Sequence, residues 1–166
     1  RGTFDLDQYI QASGKKLTYF DQVNNQHIVP AVVEASAGVD RALLTILADA
    51  FTKEEVNGES RTVLKLSPKI APIKVAIFPL MNKNDMPELS QKIVEDIRNS
   101  GIASFYDAGG SIGKRYRRQD EAGTPFGITV DHDTLEDNTV TIRDRDTMQQ
   151  KRISIDKIVE VLKNKL

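Results

Sequence analysis

The sequence predicts an α/β fold, a mixed five-stranded sheet flanked by helices over residues 61–166, preceded by a differently patterned segment over residues 1–60. Three observations carry this expectation. The run Ile73-Lys74-Val75-Ala76-Ile77-Phe78-Pro79-Leu80 is β-branched and mostly apolar, the pattern of a central parallel strand. Stretches with apolar residues at helical spacing alternate with short β-branched runs after it. Near the end of the chain the period drops to two, in two stretches joined by a turn.

The elements follow in order. Residues 1–27 are polar and weakly patterned; a short helix or an extended segment fits, and Ser13-Gly14-Lys15-Lys16 reads as a turn. Residues 28–34 read as a short buried strand, with Pro30 at the ladder start or at an edge. A helix is expected next, with Ser36 as N-cap and Asp40 in the first turn, where a carboxylate suits the helix dipole. Val39, Leu43, Leu47 and Ala50 recur at helical spacing with Ile46 and Phe51 beside them, so this face is expected to pack against something. Residues 52–60 turn polar, and Asn57-Gly58 is a turn signal.

A second unit begins near residue 60. Residues 62–66 alternate and stop at Ser67-Pro68, and the strand over 73–80 follows. Leu89, Ile93 and Ile97 fall on one face of a helix over about 86–99, ended by Gly101. A short strand over 103–106 precedes a polar, basic helix from Ser111 to about Glu121, which Thr124-Pro125 breaks. Residues 126–130 form the next strand, and Asp137-Asn138 marks a turn. Thr139, Thr141 and Arg143 alternate with Val140, Ile142 and Asp144 in a half-exposed strand. Asp146 turns the chain, residues 148–153 return as its partner, and Ile158, Val159 and Leu162 line a final helix.

Composition bounds the function. Hydrophobic residues make up 39 % of the 166 and charged residues 28 %, enough for a core under a polar surface. The formal net charge of −1 requires any nucleic-acid surface to be a local patch. The absence of cysteine excludes disulfides, thiolate metal sites and a cysteine nucleophile. No apolar run approaches the roughly 20 residues that span a bilayer, so no membrane partner is expected. Arg1-Gly2-Thr3-Phe4-Asp5 shows neither a signal peptide nor an initiator methionine, and the expectation is a chain that begins inside a longer protein.

The basic cluster Lys114, Arg115, Arg117 and Arg118 around Tyr116 is the nucleic-acid signal that the residues themselves give. At helical spacing Lys114 shares a face with Arg117 and Arg118, a stripe suited to phosphates, and Tyr116 or an arginine suits stacking on an unpaired base. The competing reading is a solvated helix face held by Asp120 and Glu121. Arg143-Asp144-Arg145-Asp146 alternates in sign and reads as internal ion pairing on a strand. His27 and His132 lie far apart, so no metal site is expected. Gly109-Gly110-Ser111-Ile112-Gly113-Lys114 looks like a phosphate loop but lacks the terminal Lys-Ser or Lys-Thr, and reads as a flexible turn into a helix.

The run from Val33 to Leu44, Val-Glu-Ala-Ser-Ala-Gly-Val-Asp-Arg-Ala-Leu-Leu, resembles the third signature motif of class II aminoacyl-tRNA synthetases in its glycyl-tRNA synthetase form. The runs over 66–75, 113–126 and 138–148 resemble the anticodon-binding domain of the glycyl, histidyl, prolyl and threonyl enzymes. The resemblance spans nearly the whole chain and is to the homodimeric type. One position departs: Ala35 stands where the family usually has proline. The resemblance implies a glycine–tRNA ligase piece, with residues 1–60 the end of a class II catalytic domain and 61–166 the anticodon-binding domain. It implies ATP contact by Arg41, glycine contact by Glu34 and Ser36, and close backbone approach at Gly38. For the intact enzyme it implies ATP and Mg2+, tRNA-Gly as partner, a homodimer and a cytoplasmic location. The two earlier class II motifs are missing, so no catalytic residue is assigned and the isolated chain is expected to be inactive and to need no cofactor. The alternative is a non-catalytic RNA- or DNA-binding module derived from a synthetase, such as a polymerase accessory subunit.

Overall fold

The computed structural model describes residues 1–56 and 58–166, and it forms two compact units, residues 1–42 and 43–166. Asn57, half of the expected Asn-Gly turn, lies outside the described residues.

In the first unit, α1 (Phe4–Ser13) ends at Gly14, whose φ of 68° supplies the left-handed C-cap. β1 (Tyr19–Asp21) and β2 (Gln26–Ile28) form a small antiparallel hairpin that the weak patterning did not announce. The buried strand expected over 28–34 is not formed. Beyond Ile28 the backbone is irregular, and Val33 is 97 % exposed. A strand needs a ladder partner, β1 reaches only to Ile28, and Pro30 has no N–H to donate.

The helix α2 (Val39–Ala50) begins later than expected. Gly38 occupies the N-cap position, its carbonyl accepting from Ala42 N–H at 3.0 Å, so Ser36 is upstream of the cap. The apolar stripe of α2 does not pack: Val39, Leu43, Leu44, Ile46 and Leu47 are exposed, and only Ala50 is buried. β3 (Phe51–Val56) and β4 (Glu59–Leu64) form an antiparallel hairpin across what the sequence presented as a polar break and one strand.

The rest follows the expected order closely: β5 (Val75–Pro79), α3 (Met86–Asn99), β6 (Ser104–Tyr106), α4 (Ile112–Ala122), β7 (Phe126–Val130), α5 (His132–Asp137), β8 (Thr139–Asp144), β9 (Gln150–Ser154), a 3-10 turn and α6 (Ile158–Lys163). The short α5 replaces a bare turn. Asp131 caps it by accepting from Thr134 N–H, while Thr134 answers to Asp131 N–H. Five strands make one sheet in the order β6-β5-β7-β8-β9. β5 pairs parallel with β6 and β7, and β7, β8 and β9 run antiparallel. No helix of the described residues is long and apolar enough to cross a membrane.

Strand alternation sorts the two faces of this sheet. Val75, Ile77, Phe126, Ile128, Val140 and Ile142 point to one face and bury against Ile93 and Ile97 of α3 and Ile158 and Leu162 of α6. The other face carries Phe78 and Thr129, which meet Tyr116 of α4. Gly127 is required there, because a Cβ would stand 2.5 Å from the Tyr116 ring.

Arg145 fastens the hairpin to the sheet. It is 2 % exposed and donates to the carbonyls of Leu64, Leu66 and Gly123 and to the Asp146 carboxylate. The sign alternation of 143–146 is therefore internal pairing, as expected, although Arg143 pairs with Asp120 of α4 and not within its own strand. Replacing Arg145 by methionine leaves three carbonyls and a carboxylate without their donor. Urea unfolding should show a loss of about 3 kcal/mol, chiefly the cost of leaving those carbonyls without a charged donor.

Candidate nucleic-acid interface

Helical periodicity divides the basic cluster of α4. Ile112, Arg115, Tyr116, Gln119 and Asp120 face inward, whereas Gly113, Lys114, Arg117 and Arg118 face out. The sequence grouped Arg115 with the RNA candidates, but it is 3 % exposed. Its guanidinium donates to the carbonyls of Pro79, Ala108 and Gly110. Those carbonyls belong to the last residue of β5 and to the loop after β6, where an open α/β sheet ordinarily leaves a ligand crevice. Arg115 fills that crevice. The Gly109-Gly110 loop is correspondingly tied down: Arg118 donates to Gly109 O and Asp107, and Asp107 accepts from Gly109 N–H. It is a stapled turn where the sequence suggested a flexible one.

Tyr116 is also drawn inward, an edge-on contact to Phe78 with ring centroids 4.8 Å apart. Its hydroxyl shares a 2.7 Å hydrogen bond with Thr129, and Arg143 lies 4.8 Å over its ring. Burial pushes the Tyr116 hydroxyl above its ordinary value, so it stays protonated. Beneath it, Asp120 is 3 % exposed and accepts from both Arg143 and Arg61. Arg61, on β4, also donates to Glu54 and to Arg145 O. The sequence offered Asp120 as a surface acid; it is a buried hub.

α4 covers only part of its face of the sheet, and β8 and β9 carry polar side chains beyond it. The result is two adjoining hollows that share Gly113, Tyr116 and Gln150. One, of about 440 Å³, runs from Glu59 and Arg61 past Arg117 to Arg143. The other, of about 380 Å³, runs toward Thr129, Asp131 and Thr141. Gly113 faces open space, with nothing within 4 Å of where a Cβ would sit. Arg117 edges the first hollow and donates to Ser60 O and Glu59. Lys114 lies one turn away with no carboxylate partner among the described residues. Gln150 offers both a donor and an acceptor, Thr129 and Thr141 hydroxyls, and Asp131 a carboxylate, the groups that distinguish base edges. Arg152 spans β8, donating to Thr139 and Asp131. Burial alone would raise the Asp131 carboxyl, but Arg152 and Thr134 outweigh it and hold it below its ordinary value.

Sequence reasoning missed Asp120, Arg61, Gln150 and Arg152. The alternation of Thr139, Thr141 and Arg143 was the available signal, since it marks a polar sheet face.

In the first unit, Glu34, Ser36, Gly38 and Arg41 are all exposed. Gly38 and Arg41 line one shallow hollow with Val39 and Asp40, and Glu34 and Ser36 do not join it.

Comparison with known proteins gives two findings. Residues 74–165 match the family model described as an anticodon binding domain, the span from β5 through α6. A protein named glycine–tRNA ligase from Chlorobaculum tepidum is 51 % identical over the whole chain, which covers 35 % of that relative. One from Caldanaerobacter subterraneus is equally similar, over the same shares, and one from Rhodopirellula baltica is 51 % identical over 94 % of the chain and 30 % of its own length. The chain thus spans about a third of the length of the curated relatives it matches.

The groove carboxylate gives a pH prediction. Its lowered value means that the stability it contributes is complete above the ordinary carboxylate range, near pH 4, and is lost as pH falls through the lower folded value. The urea midpoint should therefore fall between about pH 5 and pH 2, and Asp131→Asn should flatten that fall.

Proposed function

Since the chain belongs to the anticodon binding domain family and resembles glycine–tRNA ligases along its length, we propose that residues 61–166 bind the anticodon of tRNA-Gly within such an enzyme. The observation that carries the reading is the groove along α4. There Arg117, with Lys114 beside it, borders an uncovered polar sheet face floored by Tyr116 and Gln150. Exposed cations hold phosphates, and amide, hydroxyl and carboxylate groups read the edges of unpaired bases. Arg118, tied to Asp107, stands at the edge of the phosphate path. Arg115 and Tyr116 act by holding the groove in shape.

Residues 1–60 are, on this reading, the end of a class II catalytic domain with its third motif. The longer enzyme, a cytoplasmic homodimer, couples glycine to ATP with Mg2+ and passes it from the adenylate to the terminal ribose of tRNA-Gly. Arg41 suits the ATP phosphates or adenine, since a planar guanidinium binds phosphate through two hydrogen bonds and stacks on a base. Glu34 answers the glycine ammonium, Ser36 adds a directional bond, and Gly38 permits close approach. All four are exposed, and only Gly38 and Arg41 share a shallow hollow, so on this reading the chain supplies groups for the reaction without enclosing a site. The isolated chain should release no pyrophosphate with glycine and ATP; a clear positive would overturn this.

For the RNA reading, binding of tRNA-Gly is measured against salt, beside a copy with altered anticodon. Preference for the native anticodon is expected. Lys114→Ala should weaken binding and lower the log–log salt slope by about 1. Gly113→Leu fills the groove without straining the helix, and should weaken binding about tenfold or more (about 1.4 kcal/mol) without lowering the unfolding midpoint. Unchanged binding in both variants would move the interface elsewhere.

A further inference from the structure

On the opposite face of the sheet, one corner is left uncovered. α6 is only six residues long, and beyond Val161 the floor of Phe126, Ile142 and Ile153 opens into a slot of about 490 Å³. Lys151 and Lys165 stand at its rim, and among the described residues neither is paired with a carboxylate. Asp144 also reaches the rim, but its Oδ1 is engaged by the N–H groups of Asp146 and Thr147. The slot is therefore apolar below, and its rim carries two lysines against one carboxylate. It adjoins β9, which is the outermost strand and pairs with β8 on one side only.

We propose that the free edge of β9, with this slot, docks an extended acidic segment of a partner polypeptide. The added strand would gain main-chain hydrogen bonds along β9, and alternate side chains would lie on the slot face. One apolar side chain would enter the slot, and carboxylates two positions to either side would meet Lys151 and Lys165. A second copy of this chain is disfavoured. Pairing two β9 edges would set Lys151 and Arg152 against the same cations, and like charges directly opposite destabilise a ladder. RNA is also a poorer occupant: Phe126 is 5 % exposed with Lys165 Nζ 5.5 Å from its ring centroid, so no open aromatic face remains for a base. This surface shares only Gln150 of its lining with the α4 groove and does not rest on the anticodon reading.

The test uses the whole chain, 15N-labelled, titrated to millimolar concentration with the blocked peptide Glu-Thr-Phe-Thr-Glu. This peptide places Phe and both Glu on one face of a strand. Shifts should concentrate at residues 150–154 and 161–165. Lys151→Glu with Lys165→Glu, both at exposed positions, should weaken binding about tenfold. Glu-Phe-Thr-Thr-Glu, with Phe on the wrong face, and Lys-Thr-Phe-Thr-Lys should bind clearly less well. The proposal is overturned if the first peptide gives no shifts, or if either control matches it. It is equally overturned if a pentauridylate perturbs Lys151, Ile153 and residues 161–165, which lie outside the α4 groove, more strongly than the peptide does.

Discussion

The second unit depends on where the Asp120 carboxylate sits. Arg61 from the hairpin and Arg143 from β8 both close on it, at 2.9–3.2 Å, in a site with almost no solvent. Two guanidiniums buried beside a single carboxylate are costly to desolvate, and the arrangement holds because the remaining donors find partners. Arg61 reaches Glu54 and a backbone carbonyl, and Arg143 lies on the Tyr116 ring. The hairpin, α4 and β8 are thereby locked in one geometry. The groove walls are those same three elements, so the hub that fixes the fold also fixes the spacing between the cations of α4 and the polar groups of the sheet.

A second arginine decides what this fold does not do. The crevice at the ends of β5 and β6 would be the natural phosphate site of a parallel α/β sheet. Here Arg115 occupies it and satisfies the loop carbonyls. The proposed RNA groove lies instead on the face beside α4, where the sheet changes from parallel to antiparallel. In a chain of near-zero net charge, Arg117 edges the groove with Lys114 beside it, while Arg61, Arg143, Arg145 and Arg152 are paired with carboxylates.

Most of the sheet was legible in the sequence because its strands are either fully apolar, as in 75–79 and 126–130, or strictly alternating, as in 139–144. The basic helix was legible as a helix, and its outward stripe followed from the spacing of Lys114, Arg117 and Arg118. The inward half was not legible, since a cation directed at backbone carbonyls carries no mark in sequence that separates Arg115 from Lys114. Long-range partners such as Arg61 and Asp120, 59 positions apart, are likewise invisible to local pattern. Along the first 50 residues the apolar runs 28–34 and 39–50 gave correct hydrophobicity but the wrong burial. Periodicity reports which face seeks cover, and the described residues do not supply it.

The most direct test of the central claim is a footprint of the RNA on the protein. The 15N-labelled chain is mixed with the tRNA-Gly anticodon stem-loop at low salt, and backbone amide shifts are mapped. Perturbations should gather on residues 113–117 of α4 and on Thr141, Gln150 and Arg152, and fade when the anticodon is altered. Perturbations confined to α3 and α6, or indifferent to the anticodon, would contradict it.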